Sequence, residues 1–301
     1  MSDIRFDDRV AIITGAGGGL GRTYALELGK RGAKVVVNDL GGKSDGTGAN
    51  ASMADKVVAE ITAAGGTAVA NHDSVATPEG GKSIVQTALD SYGKIDIVIN
   101  NAGILRDKTF AKMTVEEINL VLDVHLRGAF YVTQPAFEIM KAQGYGRLLF
   151  TSSGAGIFGN FGQTNYGAAK MGLVGMMNVL SVEGAKYNIK CNAIAPTART
   201  RLTEDLLGPM AEFLAPETVT PMVVYLVSED CDITHEIFSI GGGRFARAFI
   251  GVTPGWFAGK GVEVSAEDVA ANIEQIRNTE GYTVPSNIGD ELGLIMKAFS
   301  K

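Results

Sequence analysis

The sequence predicts an α/β protein: a doubly wound parallel sheet of seven strands flanked by helices, with a helical extension at the carboxyl end. Short runs rich in Val and Ile, such as Val10-Ala11-Ile12-Ile13 and Ile95-Asp96-Ile97-Val98-Ile99, alternate with longer stretches of helical periodicity. That alternation is the signature of strands joined by crossover helices. The first run leads through a glycine turn, Thr14-Gly15-Ala16-Gly17-Gly18-Gly19-Leu20-Gly21, into a helical pattern, and the second apolar run ends in an acid, Asp39.

Each element has its own warrant. After the strand at Val10–Ile13, the amides opening the first helix form an anion site suited to a pyrophosphate. Gly15, Gly19 and Gly21 permit the tight turn and close approach that such a ligand requires, with Leu20 between them. Lys34-Val35-Val36-Val37-Asn38 is the second strand. Asp39 at its end is placed to accept hydrogen bonds from an adenosine ribose, and its carboxylate repels a 2'-phosphate, which favours NAD over NADP. A glycine-rich loop over 40–48 precedes a helix over 49–64.

Thr67–Asn71 makes the third strand, a helix follows over 79–91, and Ile95–Ile99 leads to Asn100-Asn101-Ala102-Gly103. Asn101 is expected to tie central strands together, and Gly103 to leave room for a cofactor. Gly146–Thr151 is the fifth strand and delivers Ser152 and Ser153. A helix from Gln163 through Tyr187 precedes the sixth strand, Ile189–Pro196, and Pro221–Ser228 reads as helical before the seventh, Ile237–Ile240. Leu202, Leu206, Leu207, Met210 and Phe213 form one possible helical face in 197–216, able to cover an apolar substrate or to pack on the body.

The chemistry is read from Ser153, Tyr166 and Lys170. On a helix, Tyr166 and Lys170 stand one turn apart on the same face. A cation beside a phenol favours the phenolate and lowers its pKa, bringing the hydroxyl nearer to acid/base work at neutral pH. Ser153 adds a second hydroxyl, so a substrate oxygen held between serine and tyrosine would be polarised by two donors.

In order and spacing, the glycine turn, the Asn100-Asn101-Ala102-Gly103 segment and a serine thirteen residues before the tyrosine of Tyr166-Gly167-Ala168-Ala169-Lys170 resemble the short-chain dehydrogenase/reductase family. The resemblance implies a Rossmann fold and a nicotinamide cofactor, with Asp73 at the adenine edge and Ser74 and Val75 beside it. It also assigns Asn101, Ala102, Gly103, Tyr166 and Lys170 to cofactor binding, and Lys170 to the cofactor ribose. Two departures stand out. His125 occupies the place of a helix-bending asparagine, and Thr197 and Arg201 depart from the family's Pro-Gly and threonine.

Runs such as Asn38-Asp39-Leu40-Gly41-Gly42, His125-Leu126-Arg127-Gly128 and Gly159-Asn160-Phe161-Gly162-Gln163 look like one branch, the (3R)-hydroxyacyl-CoA dehydrogenase units of peroxisomal multifunctional enzymes. That branch implies NAD-linked oxidation of a 3-hydroxyacyl-CoA and a homodimer. A 17β-hydroxysteroid or other secondary-alcohol dehydrogenase, a 3-ketoacyl reductase and a non-catalytic nucleotide-binding scaffold remain alternatives.

Composition narrows the remaining classes. With 46% hydrophobic residues the chain can bury a substantial core. Its 27 basic and 33 acidic residues give a formal charge of -6, no broad field for nucleic acid or an anionic membrane. Cys191 and Cys231 have neither disulfide-scaffold nor metal-site spacing, so no metal is expected. The start of the chain lacks an apolar leader, no run approaches the ~18 apolar residues of a spanning helix, and Phe299-Ser300-Lys301 is not the Ser-Lys-Leu address. A cytoplasmic location is expected. The whole of 1–301 reads as one dehydrogenase domain, with 245–301 docked as an extension because its apolar residues are costly to expose.

Overall fold

The computed structural model describes residues 3–200, 203 and 208–299. By its contacts the chain divides into two compact units, Met1–Arg247 and Ala248–Lys301.

In the first unit an eight-stranded sheet runs in the order β3-β2-β1-β4-β5-β6-β7-β8. The strands are β1 (Val10–Thr14), β2 (Lys34–Asn38), β3 (Thr67–Asn71), β4 (Ile97–Asn100), β5 (Gly146–Thr151), β6 (Ile189–Pro196), β7 (Ile237–Gly241) and β8 (Arg244–Ala248). Pairing is parallel from β3 through β7. The central strands β1, β4 and β5 are buried at every position, which explains their continuous apolar runs: both faces are covered. The helices are α1 (Gly19–Lys30), α2 (Ser52–Ala63), α3 (Pro78–Tyr92), α4 (Val115–Leu122), α5 (Gly128–Gln143), α6 (Gly154–Ile157), α7 (Thr164–Gly184) and α8 (Thr220–Leu226). Ile13, Leu28, Val35, Ile61, Ile99 and Val223 belong to one buried cluster that joins the sheet to α1, α2 and α8.

Chain order reverses at β1, which lies between β2 and β4. In an open α/β sheet the crevice beyond the carboxyl ends of the strands at this switch point is where ligands bind.

One strand was not foreseen. The expected sheet of seven has an eighth, β8, after a two-residue turn of Gly242 and Gly243 with φ of 56° and 81°. Two positive φ values are the demand of a tight hairpin, so β8 returns antiparallel to β7. Arg244-Phe245-Ala246-Arg247-Ala248 lacks the apolar run of its neighbours and did not announce itself as a strand.

The second unit contains α9 (Ala266–Ala271), α10 (Ile273–Arg277) and α11 (Ile288–Ala298). The helical pattern that the sequence carries around 266–278 is interrupted at Asn272, whose side-chain amide donates to the Asp268 carbonyl at 2.8 Å, the local competition that asparagine offers a helix. Val252 pairs with Thr283 in an isolated antiparallel bridge. The Phe249 and Tyr282 rings stack, with centroids 5.4 Å apart.

Candidate active site

A cleft of about 630 Å³ in the first unit is lined by residues that follow β1, β2, β3, β4, β5 and β6. It brings together Gly15, Gly19, Leu20, Asp39, Asp73, Ser74, Val75, Asn101, Ala102, Gly103, Ser153, Tyr166 and Lys170. Gly21 alone of the candidate catalytic and cofactor-binding residues is outside this lining. A Cβ there would fall 2.6 Å from the Asn101 amide nitrogen, so Gly21 keeps α1 close to the strand ends.

At one end, the glycine turn and the second strand lock together. Asp39 accepts from the Gly17 N–H at 2.8 Å through Oδ2 and from the Gly41 N–H at 2.6 Å through Oδ1. Each oxygen keeps acceptor capacity for a further donor. Gly15 has φ +64°, and a Cβ on it would lie 2.7 Å from the Ala102 Cα. Glycine is required there both for conformation and for space. Asn101 bridges the two central strands, its amide donating to the Thr14 and Gly15 carbonyls at 3.0 and 3.2 Å. The Thr14 hydroxyl accepts from the Asn101 and Ala102 amides at 3.0 and 3.1 Å. Thr14 was not singled out in the sequence, although its place immediately before the glycine turn was the available signal. The Asp73 carboxylate accepts from Asn71 at 2.9 Å and Ser83 at 2.6 Å, and Asp73, Ser74 and Val75 line the cleft wall.

At the other end, Ser153 terminates the segment after β5 and caps α6, its hydroxyl accepting from the Ala155 N–H at 3.1 Å. Tyr166 and Lys170 project from the first two turns of α7. Lys170 is buried and donates from Nζ to the Thr151 carbonyl at 2.6 Å, while the neighbouring Ser152 hydroxyl donates to the Lys170 carbonyl at 2.8 Å. Strand β5 and helix α7 thereby fix one another.

His125 also lines this end. Between α4 and α5 the chain makes a π-helical turn over Asp123–Arg127, and such wide turns re-aim side chains at functional sites. The buried His125 ring meets Tyr166 edge-on with centroids 5.2 Å apart. Its Nε2 lies 2.8 Å from the Ile104 carbonyl and 3.0 Å from the Ile104 amide. A Cβ on Gly103 would collide with the imidazole, so the glycine admits the histidine as well as any ligand.

Electrostatics depart from the sequence expectation. Burial pushes the Tyr166 phenol above its ordinary value, hydrogen bonding with Ser153 pulls it down, and the negative charge of Asp107 pushes it up again. The expected lowering by Lys170 is not found, because burial depresses the lysine itself to about 7 and so removes part of its charge at neutral pH. Burial, then the neighbouring Lys170, hold His125 well below the usual imidazole range; it is neutral at physiological pH. Arg201, Leu202, Leu206 and Leu207 lie outside the described residues, whereas Met210 and Phe213 are exposed in a short 3-10 segment, Gly208–Phe213.

The glycines, the paired Asp39 and the Asn101 bridge fit a dinucleotide, and the hydroxyl, phenol and amine at the opposite end fit chemistry at an alcohol or carbonyl. These features define a nucleotide-dependent oxidoreductase. The family model for short chain dehydrogenases matches residues 9–207, and the chain belongs to that family. A short-chain type dehydrogenase/reductase of Mycobacterium tuberculosis is 53% identical over 92% of this chain and 96% of its own length. Peroxisomal multifunctional enzyme type 2 of Mus musculus is 48% identical over 100% of this chain, which spans only 41% of that protein. Among solved structures, full-length peroxisomal multifunctional enzyme type 2 from Drosophila melanogaster superposes with a TM-score of 0.83 at 37% identity, covering 99% of this chain and 50% of that one. Among the described residues, no helix is long and apolar enough to cross a membrane, and no group of three or more His, Cys, Asp or Glu side chains could hold a metal.

Proposed function

We propose that this protein oxidises a (3R)-hydroxyacyl-CoA to the 3-ketoacyl-CoA with NAD. The observation that carries the reading is the convergence of Ser153, Tyr166 and Lys170 on the same cleft as Gly15, Gly19 and Asp39. Tyr166 takes the proton of the substrate hydroxyl, Ser153 orients that oxygen, and Lys170 holds the cofactor ribose and assists the phenol as a cation when it is protonated. A bound nicotinamide supplies the hydride acceptor. Because Lys170 titrates near neutrality, its help to the phenol is greatest on the acid side, while loss of the Tyr166 proton is favoured on the alkaline side. Asp39 selects NAD by meeting an added phosphate with a carboxylate. Asp73, Ser74 and Val75 face the adenine, and Asn101, Ala102 and Gly103 line the path toward the nicotinamide.

The acyl-CoA substrate rests on the similarity to multifunctional enzymes type 2 of mouse and fly. A 3-oxoacyl-[acyl-carrier-protein] reductase of Synechocystis, 36% identical over 78% of this chain, favours a second reading, reduction of a ketoacyl thioester. A turnover panel of 3-hydroxyacyl-CoAs, 3-ketoacyl thioesters, 17β-hydroxysteroids and simple secondary alcohols, each with NAD and NADP, tests these readings. The highest kcat/KM is expected for a 3-hydroxyacyl-CoA with NAD. Cofactor binding without turnover of any substrate would instead leave a scaffold.

The proposal extends to assembly. Ile288, Leu292, Ile295, Met296 and Phe299 of α11 and its end are exposed, more apolar surface than a helix ordinarily leaves to water. In our reading, 245–301 docks to complete one dehydrogenase domain and contributes to a homodimer, which sedimentation of the full chain against one lacking 245–301 would test. The unpaired, buried Cys191 and Cys231 suit a reducing compartment, taken here as the cytoplasm.

A further inference from the structure

We propose that Phe158 and Phe161, on the loop between α6 and α7, form the rim that receives the acyl chain of the substrate and set the preference for long over short chains. This rests on the hydroxyacyl-CoA reading above. Phe158 is the residue at which α6 ends, one short helix beyond Ser153, and its side chain lines the cleft while remaining 74% exposed. The ring edge lies 3.9 Å from where a Cβ on Gly154 would stand, so the phenyl leans over the residue that follows Ser153. A substrate whose oxygen sits between Ser153 and Tyr166 shares its cleft with that ring.

Phe161 is 88% exposed. It lies between Gly159 and Gly162, with φ of 86° and 78°, conformations that glycine supplies without steric cost. The loop is not loose: the Gly162 carbonyl accepts from the Lys108 N–H at 2.9 Å, and Asn160 donates to Gln163, which donates to Asp107, at 2.9 and 2.7 Å. Asn160 and Gln163 line the cleft wall. A pinned loop thus presents two large apolar rings to solvent, Phe158 at the cleft and Phe161 three residues further along the same loop. The cost of that exposure is relieved when an aliphatic chain covers the rings, and the relief grows with each methylene that reaches them.

The test compares kcat/KM for four-carbon and sixteen-carbon (3R)-hydroxyacyl-CoAs in the full-length wild type, Phe158→Ala, Phe158→Leu and the Phe158→Ala/Phe161→Ala pair. The long-to-short ratio is expected to fall about tenfold in Phe158→Ala, further in the pair, and to recover in Phe158→Leu, which keeps an apolar side chain. Both side chains are largely exposed, and retained NAD affinity will show that each variant is folded. Ratios within about twofold of wild type in both alanine variants would overturn the assignment while leaving the acyl-CoA reading intact. A wild type inactive on acyl-CoAs of both lengths would overturn that reading and this one with it.

Discussion

At the Asp39 end of the cleft, recognition is built from short backbone hydrogen bonds and a half-buried carboxylate. At the Tyr166 end it is built from titratable side chains drawn out of water, Lys170 and His125 buried and Tyr166 partly so. The first arrangement needs only the right φ angles at Gly15 and Gly19 and an acid at the end of β2. Its geometry is set before any ligand arrives. The second holds Tyr166, Lys170 and His125 in protonation states that burial has shifted toward neutrality. Position suffices for binding, whereas proton transfer also demands that charge be expensive and therefore readily moved.

Substitutions should separate the two ends. The largest effect is expected for Tyr166→Phe, which removes the proton acceptor and keeps the ring: kcat should fall ~10³-fold with NAD affinity nearly unchanged. Near-normal turnover would take Tyr166 out of the reaction. Lys170→Ala should reduce both kcat and NAD affinity, because one side chain is to serve both the phenol and the cofactor ribose, and an effect on neither would detach it from the site.

The lysine also makes a prediction about stability. Its folded value of about 7 lies below the ordinary 10.5, so between those values the unfolded chain binds more protons than the folded one. Stability therefore rises with pH across this window, and the penalty is fully present below about pH 7. Lys170→Met should raise the urea midpoint at pH 6.5 and lose most of that advantage by pH 10. A gain independent of pH would contradict the buried, readily neutralised amine.

Smaller effects are expected where geometry, not titration, is at stake. Asp39→Asn should lower the NAD over NADP ratio of kcat/KM about tenfold or more, by removing the carboxylate that meets an added phosphate; an unchanged ratio would place the selection elsewhere. His125→Ala should cost about 1–3 kcal/mol by leaving unpaired the Ile104 backbone group that Nε2 serves. His125→Asn, whose amide can both donate and accept, should restore most of it in a thermal or urea melt.

The same contrast explains what the sequence disclosed. Strand runs, the glycine turn, Asp39 and the Ser153, Tyr166 and Lys170 spacing are local signals, and the structure brings those residues to one cleft. The Asn101 bridge was legible too, since an amide between two strand ends has few other uses. Burial was not. Nothing adjacent to Tyr166 in the chain announces that Asp107 raises its pKa, or that Lys170 is dehydrated enough to lose charge, because both depend on which loops cover α7. His125 stood out as a substitution, but its contact with Ile104 needed the π-turn. The π-turn is a change of one residue per turn, below the resolution of an apolar pattern. Strand β8 escaped notice because its arginine-bearing sequence lacks the apolar run of its neighbours, and the interruption at Asn272 because one side-chain bond decides it.

That eighth strand has a consequence for the protein as a solute. Without it, β7 would be the terminal strand, its backbone N–H and C=O groups free beside Ile237, Phe238 and Ile240, a template on which a strand from another molecule could add. The hairpin at Gly242 and Gly243 covers that edge with a strand whose outer residues include Arg244 and Arg247, the latter paired to Glu236 at 3.2 Å. An incoming strand would have to displace or bury those charges. Adding β8 therefore acts as a guard against edge-to-edge aggregation.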